Sequence, residues 1–61
     1  MNLSTTTLNN VLSMAINMNP NYARNKTLYE FGFRSNYYTT ETWESLPNWQ
    51  AFINAGWTTG F

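Results

Sequence analysis

The chain contains no cysteine and no histidine, and it carries only three basic and three acidic residues. Without thiols it cannot form a disulfide, and without thiolates or imidazoles it lacks the usual ligands of a structural zinc ion. Two of the routes by which small domains gain stability are therefore closed. Histidine is also the side chain most often used for general acid–base work, so its absence argues against an enzyme.

The few charged residues balance to zero net charge. Arg24, Lys26 and Arg34 are scattered, whereas binding to a nucleic-acid backbone depends on clustered positive charge that releases counterions. Glu41 and Glu44 would share one face of a helix, but in a first helical turn such a pair is typically solvated. We therefore expect no catalytic site, cofactor, metal, small-molecule substrate or nucleic acid.

Long apolar runs are also missing. No apolar stretch of the sequence approaches the 18 or more residues that a membrane-spanning helix needs. The first such stretch is interrupted by Asn9, Asn10 and Asn17. The opening residues lack the basic start of a secretory signal. The sequence predicts a virion or cytoplasmic location, with no signal peptide and no membrane span.

Aliphatic residues are few and aromatic residues are many. Leu, Ile, Val and Phe together make up twelve of the 61 residues, which is close to the level at which disorder begins. Eleven aromatic residues supply the missing apolar area. Either these rings form a compact core or many of them face a partner, and we expect the second. Residues 1–61 are then a single small domain that is completed by packing in a larger assembly. The expected partners are proteins of that assembly or, by self-association, further copies of this chain.

The first half of the chain contains a clear helical pattern. Apolar residues recur at i, i+3, i+4, i+7 and i+8, the spacing of one helix face, at Leu8, Val11, Leu12, Ala15 and Ile16. Thr5 or Thr6 could cap the start of this helix. Because proline disfavours helix in the residue before it, Pro20 predicts an end near Asn17 or Met18.

The middle of the chain has the pattern of a half-buried strand. Tyr29, Phe31 and Phe33 alternate with polar residues or glycine. Tyr37–Thr39 could form a second strand after a turn at 35–36. We expect a short β hairpin or an extended aromatic segment here, with an open edge that a partner strand could join.

The last third of the chain returns to helical signals. Thr39 or Thr40 can cap a first helical turn, and Pro47 fits the first position of a further helix that runs to about Ala55. Gly56 then provides a helix stop. Taken together, these elements predict an α+β fold with an N-terminal helix, a short hairpin and a C-terminal helix.

One string resembles a known family. Phe31-Gly32-Phe33, followed by Tyr37-Tyr38, is similar to the Phe-Gly-Phe core of the RNA-recognition motif, whose strand aromatics stack on bases. That family has a basic residue and a glycine just before this core, where this chain has Tyr29-Glu30. The chain is also too short for a four-stranded sheet with two helices, so nothing is carried over from the resemblance.

The composition favours contact with other proteins. Aromatic residues, Met and Arg are enriched at interface cores, whereas Lys, Glu and Asp are depleted there. We expect a non-catalytic structural protein, a minor virion component of a bacteriophage (capsid decoration, neck or tail), with a phage-encoded inhibitor or a small accessory subunit as alternatives. Stacking of exposed rings on a glycan stays open. The expected contact residues are Leu8, Leu12, Ile16, Phe31, Phe33, Tyr37, Trp49, Trp57 and Phe61.

Overall fold

The computed structural model describes residues 3–19, 21–22 and 25–61, and in these ranges the fold is helical. About 48% of these residues are helical, about 4% form a β bridge, and no sheet is present among them. The elements are helix α1, a 3₁₀ helix, helix α2 and helix α3, over Thr5–Ile16, Leu28–Phe31, Thr40–Glu44 and Trp49–Asn54. The predicted α+β fold with a β hairpin is therefore wrong. The opening residues Met1 and Asn2, the predicted helix breaker Pro20, and Arg24 lie outside the described ranges.

Helix α1 forms where the apolar stripe predicted it. Its N-cap is Ser4 rather than Thr5 or Thr6, because the Ser4 hydroxyl accepts a hydrogen bond from the backbone N–H of Thr7 at 3.2 Å. The helix ends at Ile16, and the next residue closes its last turn with bonds to the carbonyl of residue 13. The buried face of α1 carries Leu8, Leu12 and Ala15.

The cap of α1 gives a first testable expectation. Ser4→Ala should lower the free energy of unfolding by about 1 kcal/mol, because one free N–H of the first turn loses its acceptor. Urea unfolding measures this loss. Thr6→Ala is the matched control: Thr6 is exposed inside the same turn, and alanine has the higher helix propensity. A loss of stability with Thr6→Ala as large as that with Ser4→Ala would contradict the assignment of Ser4 as the cap.

A 3₁₀ helix replaces the first predicted strand because its two ends are specified locally. Thr27 and Glu30 form a reciprocal capping box, in which each side chain accepts from the other's backbone N–H, at 3.3 and 3.2 Å. The helix is closed by Gly32 at φ +99°, a left-handed conformation that glycine adopts at little cost. Together these signals outweigh the alternating aromatic pattern.

The second predicted strand is also absent. Residues 35–37 form a turn, and α2 follows with Thr39 as its N-cap, since the Thr39 hydroxyl accepts from the N–H of Thr42 at 3.3 Å. Helix α3 begins at Trp49, two residues later than Pro47 had suggested. Asn48 precedes it and donates its backbone N–H to the side-chain oxygen of Asn9 at 2.8 Å, which joins α3 to α1.

The rings and the aliphatic face of α1 build one core. Trp43 and Phe52 are completely buried, and the core contains Leu8, Leu12, Ala15, Leu28, Trp43, Leu46, Phe52 and Trp57. Phe52 lies with its ring centroid 5.7 Å from that of Trp57. The chain therefore closes a core of its own in this structure, while packing in a larger assembly stays a prediction.

The end of the chain pairs with the start of the 3₁₀ helix. Thr58 accepts from the backbone N–H of Leu28 at 3.1 Å, and Thr59 accepts from that of Tyr29 at 3.0 Å. This short parallel bridge is held from the other side by Lys26, whose carbonyl accepts from the N–H of Thr58 at 3.0 Å. We call residues 57–60 the return segment. It is the part of the fold that brings Trp57 into the core.

Candidate functional site

An open groove lies at the surface between the start of the chain and the 3₁₀ helix. Its volume is about 520 Å³, and it is lined by Leu3, Phe31, Gly32, Phe33, Asn36, Tyr37 and Tyr38. Five of these seven side chains are aliphatic or aromatic, and none is charged. The volume falls within the roughly 300–1,000 Å³ of ligand pockets. We call these seven residues the aromatic groove.

Part of the groove wall is attached directly to the core. The ring of Phe33 meets that of Trp43 edge to face, with centroids 5.0 Å apart, and Tyr38 meets Trp43 in the same way at 6.0 Å. The Tyr38 hydroxyl accepts from the backbone N–H of Leu3 at 2.8 Å, across 35 residues of sequence. These contacts hold both rings in place from behind and fix Leu3 at the rim.

The rest of the groove wall is formed by Phe31, Gly32 and Tyr37, which differ in how they are supported. Phe31 stacks on Trp57, with centroids 5.5 Å apart and planes 26° from parallel. At Gly32 nothing lies within 4 Å of where a Cβ would stand, so the groove is open at that point. Tyr37 is 59% exposed. The groove thus offers a supported aromatic surface with one ring free to contact a partner.

The positively charged side chain of Arg34 is held next to the aromatic groove. The guanidinium carbon of Arg34 lies 3.8 Å from the ring centroid of Tyr29, a cation–π contact. Its Nη1 donates to the carbonyl oxygens of Tyr29 and Phe33, at 3.0 and 2.9 Å. Arg34 does not line the groove, but its bond to the carbonyl of the lining residue Phe33 places the positive charge beside the groove.

Comparison with known proteins does not assign this site. The chain matches no protein-family model, no characterised protein and no solved structure. Its function therefore has to be argued from the chemistry of the aromatic groove. Within the described ranges, no helix is both long and apolar enough to cross a membrane. The same part of the chain contains no cluster of three acidic side chains that could hold a metal.

Three of the residues predicted to contact a partner meet in the groove. Phe31, Phe33 and Tyr37 share it, although they were expected on a hairpin. The predicted contact residues did not include Leu3, Tyr38 or Arg34, although Tyr38 was among the rings considered for stacking on a glycan. Tyr38 could have been chosen from its place in the aromatic run, whereas the position of Leu3 depends on a contact between distant parts of the chain.

The other predicted contact residues lie elsewhere. Leu8, Leu12 and Trp57 are core residues, with exposures of 1%, 0% and 3%, so a partner could reach them only if the fold opened. Ile16 and Trp49 are partly buried and pack against the core. Phe61 is 37% exposed and is not a lining residue of the groove.

A second, smaller groove lies between the start of α1 and the turn before α3. Its volume is about 310 Å³, and four of its six lining residues carry a hydroxyl or an amide: the lining consists of Thr5, Thr6, Asn9, Ser45, Leu46 and Pro47. None of its residues is aromatic. It has less apolar area to offer a partner than the aromatic groove, and we take the aromatic groove as the candidate site.

Proposed function

We propose that this chain is a non-catalytic interaction domain that binds a segment of a partner protein in the aromatic groove. The observation that supports this most directly is the group of Phe31, Phe33 and Tyr37 around one uncharged groove. Aromatic residues dominate binding hot spots, and exposed apolar patches on small soluble proteins commonly mark interaction sites.

The supported rings favour binding energetically. A side chain that is immobilised only on binding costs about 0.5–1.5 kcal/mol of ordering, which weakens the complex. Phe33 and Tyr38 already pack on Trp43, and Phe31 already stacks on Trp57, so much of that ordering is in place in the free chain.

The closed core bears on which kind of interaction protein this is. A domain that buries Trp43 and Phe52 within itself can fold before it meets a partner. This favours the inhibitor or accessory-subunit alternative, in which a folded domain docks on another protein. The role of a minor virion component of a bacteriophage stays a prediction.

A peptide-display experiment tests the proposal. A library of random dodecapeptides is selected on the folded chain, and the enriched peptides are measured against variants. Tyr37→Ala should weaken binding about tenfold or more, because it removes the most exposed ring of the groove, and each factor of ten is about 1.4 kcal/mol.

The matched control is Tyr22→Ala, which removes a ring that is 78% exposed outside the groove. It should leave the affinity unchanged. The proposal fails if no peptide is enriched over a selection on the Tyr37→Ala variant. It also fails if Tyr22→Ala weakens binding as much as Tyr37→Ala does.

A further inference from the structure

Arg34 is oriented before any ligand arrives. The Tyr29 ring supports the face of its guanidinium at 3.8 Å, and two backbone carbonyls hold Nη1. A free arginine side chain carries about 2 kcal/mol of rotamer entropy, and less is lost when the planar group is already oriented. This arginine is therefore suited to bind a ligand rather than to solvate the surface.

Part of the guanidinium remains available. It has five N–H donors, and the two contacts made through Nη1 account for at most two of them. Within the described ranges, Nε and Nη2 donate to no protein acceptor. An edge of two parallel N–H groups matches the two oxygens of a carboxylate, which it binds bidentately.

The chain's own carboxylates do not fill this position in the structure. Glu30 accepts from the backbone N–H groups of Asn25 and Thr27, at 3.3 and 3.2 Å, in the capping arrangement. Glu41 and Glu44 are exposed on α2. The positive charge of Arg34, beside the groove, is complementary to an acidic group from outside.

We infer that the occupant of the aromatic groove is a protein segment in which an aromatic or large apolar side chain lies beside a carboxylate. The apolar side chain enters the groove between Phe33 and Tyr37, and the carboxylate binds the free edge of Arg34. This inference rests on the proposed function, and it adds the chemistry of the partner.

A single-stranded nucleic acid could also combine stacking with a contact to Arg34. Such binding depends on a positively charged groove that follows the phosphate backbone. This chain has three basic residues and no net charge, and the lining of the groove is uncharged. The charge balance therefore favours the peptide.

Two probes that differ only in charge test the inference. The ¹⁵N-labelled chain is titrated at neutral pH with N-acetylphenylalanine, which carries a carboxylate, and with N-acetylphenylalanine amide, which does not. Both should shift the backbone amide signals of Gly32 and Asn36. Only the carboxylate should shift the Arg34 Nε–H signal, and it should bind about three- to tenfold more tightly, as a charge-assisted pair at a partly exposed site does.

Variants of Arg34 isolate the charge. Arg34→Gln should make the two probes bind equally, whereas Arg34→Lys should keep part of the preference, because a lysine retains the charge and loses the fork. Near-ultraviolet circular dichroism shows whether each variant keeps its packed rings. If Arg34→Gln does not fold, the test depends on Arg34→Lys. An undiminished preference of Arg34→Lys for the carboxylate probe overturns the bidentate contact.

The outcomes separate the inference from the proposed function. Equal binding of both probes at Gly32 and Asn36 overturns the carboxylate inference and leaves the peptide groove standing. Shifts at neither residue, with either probe, count against both. A preference that survives Arg34→Gln in a folded chain overturns the role of Arg34. A thymidine oligonucleotide that shifts the same signals at lower concentration than the carboxylate probe overturns the assignment to a protein segment.

Discussion

Trp43→Ala is expected to leave this chain unfolded at room temperature. Trp43 is completely buried, and its ring supports both Phe33 and Tyr38. Truncation of a buried tryptophan to alanine typically costs about 3–5 kcal/mol. The single core of a domain below about 70–80 residues rarely supplies more than about 3–5 kcal/mol in total. The near-ultraviolet circular dichroism of the remaining rings should therefore be lost without denaturant.

Trp43→Phe tests how much of the stability depends on an aromatic ring at this position, because it keeps a ring and removes the indole N–H. The indole Nε1 of Trp43 is buried and has no hydrogen-bond partner in the part of the chain that the structure describes. An unsatisfied buried donor costs about 1–3 kcal/mol, and phenylalanine removes the donor while it keeps an aromatic ring in place. This variant should stay folded without denaturant, where Trp43→Ala does not, and it should unfold in urea with a measurable midpoint. Loss of the folded state in Trp43→Phe as well would contradict this expectation.

Gly60→Ala is expected to detach the return segment. Gly60 has φ +82°, and a Cβ at this position would lie 2.8 Å from the Cβ of Thr27 and 3.1 Å from that of Tyr29. Those atoms are fixed to the backbone and cannot rotate away. The positive φ costs about 1–2 kcal/mol and the overpacking about 1–3 kcal/mol, so the total loss should be about 2–5 kcal/mol.

Hydrogen exchange localises this effect. The amides of Leu28 and Tyr29 donate to the return segment, and they should lose protection before the amides of α1 do. Gly56→Ala is the matched control. It carries a similar φ of +91°, but a Cβ there meets only the Lys26 side chain, at 3.7 Å or more. Equal stability losses at both glycines would rule out the clash with Thr27.

The sequence was most informative where one short pattern decides the structure. The stripe of Leu8 and Leu12 predicted α1, because a helix needs one apolar face and no other local signal competes with it. The hairpin prediction failed because two local patterns compete over the same residues. The alternating rings favour a strand, whereas the Thr27-x-x-Glu30 capping box and Gly32 favour a helical turn. Both signals are visible in the sequence, and in the structure the capping box forms, with bonds from backbone N–H groups to the Thr27 and Glu30 side chains.

The candidate site was predictable only in part. Phe31, Phe33 and Tyr37 could be chosen from their residue type, since aromatic residues are enriched at interfaces. Phe31 and Phe33 are held in the groove wall by contacts with Trp57 and Trp43, which no local pattern specifies. The orientation of Arg34 likewise follows from carbonyl groups that converge only once the 3₁₀ helix has formed.

The bonds that join distant parts of the chain bear on how fast it folds. Asn9 and Asn48 are 39 residues apart, and Leu3 and Tyr38 are 35 residues apart, so each bond closes more than half of the chain into a loop. Helical proteins fold quickly when most of their contacts are local, and the entropy of closing long loops slows this process. We therefore expect loop closure, rather than helix formation, to limit the folding rate. This chain would then fold more slowly than a helical protein of the same length whose contacts are mostly local.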